Sequence, residues 1–122
     1  PAIQDPDIRR RLIALEGAVQ AHLWSGYYQQ TLGARGDNVG ILGLMNKINN
    51  TNIGQEVARI ATDVLGDTAL EAAAQDGRKM GDERWLNQIF GSIALAIAGG
   101  TSNIQRNIIG ERGLDLPREP GF

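Results

Sequence analysis

Two adjacent glycines followed by hydroxyl and amide side chains form the stretch of this sequence best suited to hold a ligand. Gly99 and Gly100 interrupt an apolar run, and Thr101 or Ser102 is placed to cap a new helix. Glycine has no Cβ and lets the backbone approach a ligand closely, while the free amides of a helix start attract anions. These residue types predict either an anion or cofactor contact or a simple turn between two helices.

Few other residues could perform chemistry. The chain of 122 residues contains no cysteine and a single histidine, His22. This composition excludes a disulfide framework, a thiolate nucleophile and a metal cluster of histidines or cysteines, and we predict no metal site. No acidic or nucleophilic partner follows His22 closely, so a hydrogen-bonded interior or interface histidine is expected.

Charge and hydropathy narrow the class of protein further. The formal net charge is −2, and the basic residues are dispersed except for Arg9, Arg10 and Arg11, so no nucleic-acid partner is indicated. No apolar run reaches membrane-spanning length and no signal segment opens the chain, which predicts a soluble, cytoplasmic protein without a membrane span. Because the chain begins at Pro1, we expect it to be a piece of a longer protein.

Apolar residues recur at helical spacing along most of the chain. The expected helices run from a cap at Asp5 or Asp7 to about Ala34, from a cap at Asp37 or Asn38 to Gly66, from Asp82 or Glu83 to about Ala98, and from Thr101 to Arg112. The polar residues 49–52 allow either a break capped by Asn52 or one continuous second helix. Residues 66–83 are expected to form a loop with a short helical turn over 69–74, and Trp85 and Phe90 to anchor the core or a subunit interface.

The predicted fold is all-α. Three long helices and a shorter C-terminal one indicate a single domain over residues 1–122, arranged as an up-and-down helical bundle.

The residues around the glycine pair also resemble a known signature. Residues 99–112 are Gly-Gly-Thr-Ser-Asn-Ile-Gln-Arg-Asn-Ile-Ile-Gly-Glu-Arg, and Leu-Asp-Leu-Pro-Arg follows at 114–118. This pattern resembles the C-terminal signature of the acyl-CoA dehydrogenases. The resemblance implies the C-terminal helical bundle of such an enzyme, without its N-terminal helical and middle β domains. It also favours a continuous second helix, which in the family contains a lysine near Lys47.

The function that the resemblance implies is oxidation of an acyl-CoA to a trans-2-enoyl-CoA. In this family a carboxylate removes the α-proton while FAD accepts the β-hydrogen as hydride. The implied partners are an acyl-CoA, from a fatty acid or a sterol side chain, an electron-transfer acceptor, and like or unlike subunits that meet through the bundle. A carboxylate suits proton abstraction because a dry site raises its basicity.

The resemblance assigns roles to individual residues of the signature. Gly99 occupies the position of the usual catalytic glutamate, and no acidic residue follows until Glu111. No catalytic residue is therefore expected in this chain, and the base is expected on an upstream helix, as in isovaleryl and long-chain types, or on a partner subunit. Gly100 matches a position at the thioester end of the substrate, whereas Thr101, Ser102 and Asn103 match flavin contacts.

Two further parts of the sequence are given no catalytic or cofactor role. Gln105 and Arg106 are expected to be structural or interface residues, with Arg106 paired to an acidic neighbour. Residues 75–81 depart from the family's Gln-x-x-Gly-Gly-x-Gly segment, which contacts the flavin of a neighbouring subunit. No cofactor contact is carried over to them.

Two functions follow as hypotheses. The chain is either the C-terminal domain of an FAD-dependent acyl-CoA dehydrogenase or a non-catalytic assembly module of the same descent. In isolation it is expected to be inactive and to retain no FAD.

Overall fold

The computed structural model describes residues 2–70 and 83–118, and within these ranges the chain forms four α-helices and no strand. The helices are α1 (Pro6–Arg35), α2 (Gly40–Leu65), α3 (Glu83–Ile97) and α4 (Ser102–Ile108). Short 3-10 turns occupy Ala2–Gln4 and Gly66–Leu70, and a π-helical turn covers Ile109–Gly113. The predicted all-α fold, with three long helices and a shorter C-terminal one, is confirmed.

The first helix begins at the residue that the sequence predicts. Asp5 Oδ1 accepts hydrogen bonds from the backbone nitrogens of Asp7 (2.8 Å) and Ile8 (3.4 Å), and Pro6 occupies the first turn, where its missing N–H has no cost. Asp7 is not the cap, because its carboxylate pairs with Arg10 at 2.5 Å. The helix ends at Gly36, whose φ of 76° is left-handed.

The second helix is continuous through the polar residues 49–52. Thr51 is 1% exposed and faces the core, whereas Asn50 and Asn52 face solvent, so this segment has ordinary helical sidedness. The predicted cap at Asp37 or Asn38 is wrong: the N-cap residue is Val39, which makes no side-chain capping hydrogen bond, and Asn38 Oδ1 instead accepts from the Gly40 nitrogen at 2.8 Å in the turn before the helix. Of the two interpretations of residues 49–52, the continuous helix is correct.

Helix α2 packs against each of the other three α-helices. It runs antiparallel to α1, because Gln29 and Asn46 exchange two side-chain hydrogen bonds (3.0 and 2.8 Å) near the turn and Arg11 bonds Glu56 at 2.9 Å towards the far end. Small side chains such as Ala58 and Ala61 are buried along α2, and Ser92 of α3 is 5% exposed. These small residues let the helices approach closely.

The C-terminal helical segment ends at Gly113, within one residue of the predicted end at Arg112, but only its first seven residues are α-helical. Helix α4 stops at Ile108, and a wider turn follows in which the Leu114 nitrogen bonds the Ile109 carbonyl at 3.1 Å. Gly110 and Gly113 lie in this wider turn, and Gly113 packs directly against α2. A Cβ at Gly113 would lie 2.9 Å from Ile41 Cγ1.

The predicted loop after α2 is described only in part. Residues 66–70 form a 3-10 turn in which Ala69 is fully buried. The rest of the predicted short helical turn, the segment 75–81 and Asp82 lie outside the described residues. Helix α3 is described from Glu83, one of the two starts predicted for it.

Two rows of large apolar side chains remain exposed. On α1 they lie in the C-terminal half and are Leu23, Trp24, Tyr27 and Tyr28. On α3 they lie along one side of the helix and are Phe90, Ile93 and Ile97. Phe90 is 62% exposed, so it does not anchor the core of this chain; an interface role for it stays a prediction. Among the described residues, no helix has both the length and the apolar character needed to cross a membrane.

Candidate functional site

The glycine pair forms a corner between α3 and α4. Gly99 has φ 68° and Gly100 has φ 100°, so both lie in the left-handed region that side chains with a Cβ rarely adopt. Thr101 returns to extended backbone, and its Oγ1 accepts from the Ile104 nitrogen at 3.5 Å. The predicted helix cap at Thr101 is confirmed.

Gln105 closes this corner from α4. Its Nε2 donates to the Gly99 carbonyl oxygen at 2.7 Å. A Cβ at Gly100 would lie 3.0 Å from the same Nε2, so the absence of a side chain at Gly100 makes room for the contact. The predicted structural role of Gln105 is therefore confirmed, and its partner is a backbone carbonyl of the corner.

Lys47 reaches the corner from α2. Its Nζ donates to the Leu95 carbonyl oxygen at 2.6 Å and to Thr51 Oγ1 at 3.0 Å. Leu95 lies in the last turn of α3, where carbonyls lack intrahelical donors and the helix dipole is negative, so a cation is favourable there. The Cε atom of Lys47 lies 3.8 Å from where a Cβ of Gly99 would stand.

The residues predicted to contact substrate or flavin are contiguous at this corner, and several are open to solvent. Gly99, Thr101 and Asn103 are exposed, while Gly100 and Ser102 are half-buried. No acidic residue occurs between Glu83 and Glu111. Hydroxyl, amide and backbone donors fit the pyrophosphate and ribose groups of a dinucleotide.

One neighbour of the corner, Arg106, differs from expectation. Arg106 Nη1 contacts Asn103 Oδ1, a neutral amide, at 3.4 Å, where the sequence predicts an acidic partner. Helix α4 has only seven residues, so side chains rather than a strong helix dipole supply the polarity of the corner. Glu111 Oε2 pairs with Arg118 Nε at 3.2 Å and is thereby held at the C-terminal turn.

His22 lies elsewhere, in a groove of about 650 Å³ between α1 and α2. Its Nδ1 is buried and has no hydrogen-bond partner among the described residues, so the expected hydrogen-bonded histidine is not found at this atom. The described residues also contain no group of three or more His, Asp or Glu side chains that could hold a metal ion.

Comparison with known proteins decides the family. A family model described as "Acyl-CoA dehydrogenase, C-terminal domain" matches residues 1–114. The chain belongs to the acyl-CoA dehydrogenase family. The resemblance inferred from the signature around Gly99 and Gly100 is thus confirmed.

Two named relatives support the same assignment. The chain is 36% identical over 121 residues to acyl-CoA dehydrogenase IpdE1 of Mycolicibacterium smegmatis. This match covers 97% of the chain and 28% of the relative. It is 41% identical over 58 residues to acyl-CoA dehydrogenase IpdE1 of Mycobacterium tuberculosis, covering 45% of this chain and 15% of the relative. The chain thus spans less than a third of the length of the curated relatives that it matches. No solved structure matches it.

The structure adds one residue that sequence reasoning about this acyl-CoA dehydrogenase domain did not assign. Lys47 lies 48 positions before Leu95, and no local pattern connects the two. The available signal was the family resemblance, which implies a lysine near this position of the second helix, and Lys47 is half-buried there.

Proposed function

We propose that this chain is the C-terminal helical domain, residues 1–122, of an FAD-dependent acyl-CoA dehydrogenase that oxidises an acyl-CoA to a trans-2-enoyl-CoA. The domain contributes to flavin binding and to oligomer assembly in the cytoplasm. The N-terminal helical and middle β domains belong to the rest of the protein. The single observation that supports this most directly is the Gly99–Gly100 corner, with its glycine backbone, its capping Thr101 and its family signature.

The corner has a division of roles in this proposal. When bound, FAD accepts the hydride that leaves the β-carbon of the acyl chain. Thr101, Ser102 and Asn103 hold the flavin dinucleotide through hydroxyl and amide groups, and Gly100 lets the backbone lie against the thioester end of the substrate. All of these residues act by orienting the flavin and the substrate relative to each other. Orientation matters because a small displacement of the reacting groups lowers the reaction rate strongly.

The catalytic base is supplied from outside this chain. Gly99 stands at the usual glutamate position and offers no carboxylate, and Glu111 is paired with Arg118 in the C-terminal turn. The proton of the acyl α-carbon is removed by a carboxylate on an upstream helix or on a partner subunit. Substrates of this class include fatty acyl-CoA and sterol side-chain acyl-CoA.

Assembly uses the exposed apolar rows of α1 and α3. Trp24 of α1 is 66% exposed and Ile97 of α3 is 65% exposed, and each lies among other exposed apolar side chains of its own helix. Like or unlike subunits, or the other domains of the protein, would cover these rows and remove them from water.

The proposal is tested on the complete protein that contains this chain. Its flavin content is measured by absorbance, and its activity is assayed with a panel of acyl-CoA substrates and an electron acceptor, with and without a candidate partner subunit. The double variant Thr101→Ala, Asn103→Ala is expected to lose flavin affinity. The control pair Asn87→Ala, Gln88→Ala removes exposed polar side chains from α3 and should leave flavin affinity unchanged. Unaltered affinity in the first variant would show that the proposed flavin contacts are wrong.

A second function is a non-catalytic assembly module. Gly99, which removes the usual base, and the exposed aromatic residues of α1 favour this alternative. A complete protein that forms a stable complex with another subunit, yet contains no flavin and has no turnover with any acyl-CoA, would support it. In either case the isolated chain is expected to be colourless and inactive, and stoichiometric flavin bound to it would contradict this expectation.

A further inference from the structure

We propose that Lys47 is a positioning residue: its ammonium group holds the end of α3, and with it the Gly99–Gly100 corner, in the place where flavin and acyl-CoA meet. This inference rests on the proposed function for its catalytic meaning. The holding contact itself rests on the geometry of Lys47, Leu95 and Thr51.

Lys47 joins α2 to the last turn of α3. Lys47 lies in the N-terminal third of α2, and its Nζ donates to the Leu95 carbonyl at 2.6 Å and to Thr51 Oγ1 at 3.0 Å. The hydroxyl belongs to a side chain that is only 1% exposed, so it fixes the ammonium on the inner side of α2. A charged donor to a helix-end carbonyl is among the stronger hydrogen bonds in proteins.

The Gly99–Gly100 corner follows directly after the end of α3 that Lys47 contacts. Leu95 precedes Gly99 by four residues, and Gly99 and Gly100 both have left-handed backbone angles. Two successive glycines have wide conformational freedom and do not hold a defined path by themselves. The path is held from α4 by the Gln105 bond to the Gly99 carbonyl and from α2 by Lys47.

The aliphatic stem of Lys47 also approaches Gly99 directly. The Cε atom lies 3.8 Å from the Cβ position of Gly99, so the stem lies beneath the residue that begins the corner. Loss of the ammonium contact would free both the end of α3 and the residue above the stem. Gly100 and Thr101 would then move together with Gly99, because they follow it directly along the chain.

The test uses three variants of the complete protein. Lys47→Met keeps a similar apolar stem but removes the donor, whereas Lys47→Arg keeps a charged donor. The matched control is the neighbouring Asn46→Leu, which breaks the two hydrogen bonds between α2 and Gln29 of α1 and leaves the corner contacts in place. Thermal denaturation gives the Tm of each variant, so that variants of similar stability can be compared.

The first readout is amide hydrogen exchange at residues 98–104. Lys47→Met is expected to raise exchange at these amides by about tenfold, in line with the loss of one charged hydrogen bond. Asn46→Leu should leave the same amides within about twofold of the unmodified protein, and Lys47→Arg should restore most of the protection.

The second readout separates positioning from stability. Lys47→Met is expected to weaken flavin binding and to raise KM or lower kcat by about tenfold or more, while Asn46→Leu of similar thermal stability does neither. If Lys47→Met does not fold, Lys47→Gln provides the same comparison, because it keeps an amide but is too short to reach Leu95.

The outcomes are distinct. Equal corner exchange and equal kinetic constants in Lys47→Met and Asn46→Leu would overturn the inference. An unmodified complete protein without flavin or turnover would overturn the proposed function and the catalytic meaning of Lys47. The exchange readout would still show whether Lys47 holds the corner.

Discussion

The Gln105 side-chain nitrogen lies 2.7 Å from the Gly99 carbonyl oxygen and ties the first full turn of α4 back to the corner that precedes it. The contact joins a residue of the signature after the helix cap to Gly99. The resemblance implies a glutamate at this position in the family's common type. Here the position is occupied by a glycine whose backbone, rather than its side chain, is engaged.

Removal of the Gln105 amide should loosen the corner. Gln105→Ala is expected to lower the free energy of unfolding by about 1 kcal/mol, because one partly exposed neutral hydrogen bond is lost. Urea denaturation measures the change. Gln88→Ala, on the exposed side of α3, is the control and should change stability by less than about 0.5 kcal/mol. Equal losses in both variants would show that the Gly99 contact contributes nothing.

Gly100→Ala should lower the free energy of unfolding by more than an alanine substitution at another glycine with left-handed backbone angles. A Cβ at Gly100 lies 3.0 Å from Gln105 Nε2, whereas a Cβ at Gly36 meets nothing within 4 Å. We expect about 1 kcal/mol of strain at Gly36 and about 2–3 kcal/mol at Gly100, where Gln105 must also move. In a Gln105→Ala background the difference should shrink, which a double-mutant cycle measures. Additive effects would contradict the coupling.

Two helical glycines should respond to alanine with opposite signs. Gly113→Ala places a Cβ 2.9 Å from Ile41 Cγ1 and should destabilise the protein by about 1–3 kcal/mol. Gly17→Ala lies in the exposed middle of α1, where nothing is within 4 Å of the added atom. It should stabilise by about 0.5–1 kcal/mol, since alanine is the better helix former. Thermal denaturation of both variants checks the two signs.

Arg11 joins the start of α1 to the far half of α2. Hydrogen bonds to Asp63 and Glu56 raise the pKa of the Arg11 guanidinium above its ordinary value. Because the folded pKa is raised, the titration of Arg11 itself weakens this contribution to stability only as the pH rises above its unfolded pKa and through its folded pKa, so the contribution is present at neutral pH.

Arg11→Met should therefore lower Tm at neutral pH. It should do so by more than Arg10→Met, because Arg10 is 74% exposed and pairs with Asp7 on its own helix. High salt should reduce the difference between the two variants, since it screens partly exposed charges. A difference that does not respond to salt would indicate lost packing of the arginine stem instead.

Trp24 fluorescence should report the covering of the α1 face. Trp85→Phe leaves Trp24 as the sole tryptophan, and Trp24 is 66% exposed in this chain. In the isolated chain its emission should be close to that of solvent-exposed tryptophan. In the assembled complete protein it should shift to shorter wavelength, because a partner surface excludes water. Identical emission in both would place the assembly surface elsewhere.

The local features of the fold could be predicted from sequence because they depend on neighbours along the chain. Asp5 caps α1 through amides two and three residues away, and the end of α1 at Arg35 lies within one residue of the prediction. The family could also be inferred, since the signature from Gly99 onward is contiguous. The packing of Gly113 against Ile41 of α2 was not predicted, because it joins residues that are far apart in the sequence.

The sequence by itself determined the helices, the polar glycine corner and the absence of a carboxylate at Gly99. These depend on residue types and on spacings of a few positions, which local hydrogen bonding and helical periodicity translate directly into structure. Only the tertiary structure decided which apolar residues stay exposed, and that Lys47 rather than a neighbour reaches the end of α3. Such contacts join residues 48 positions apart, and their partners are set by how whole helices pack.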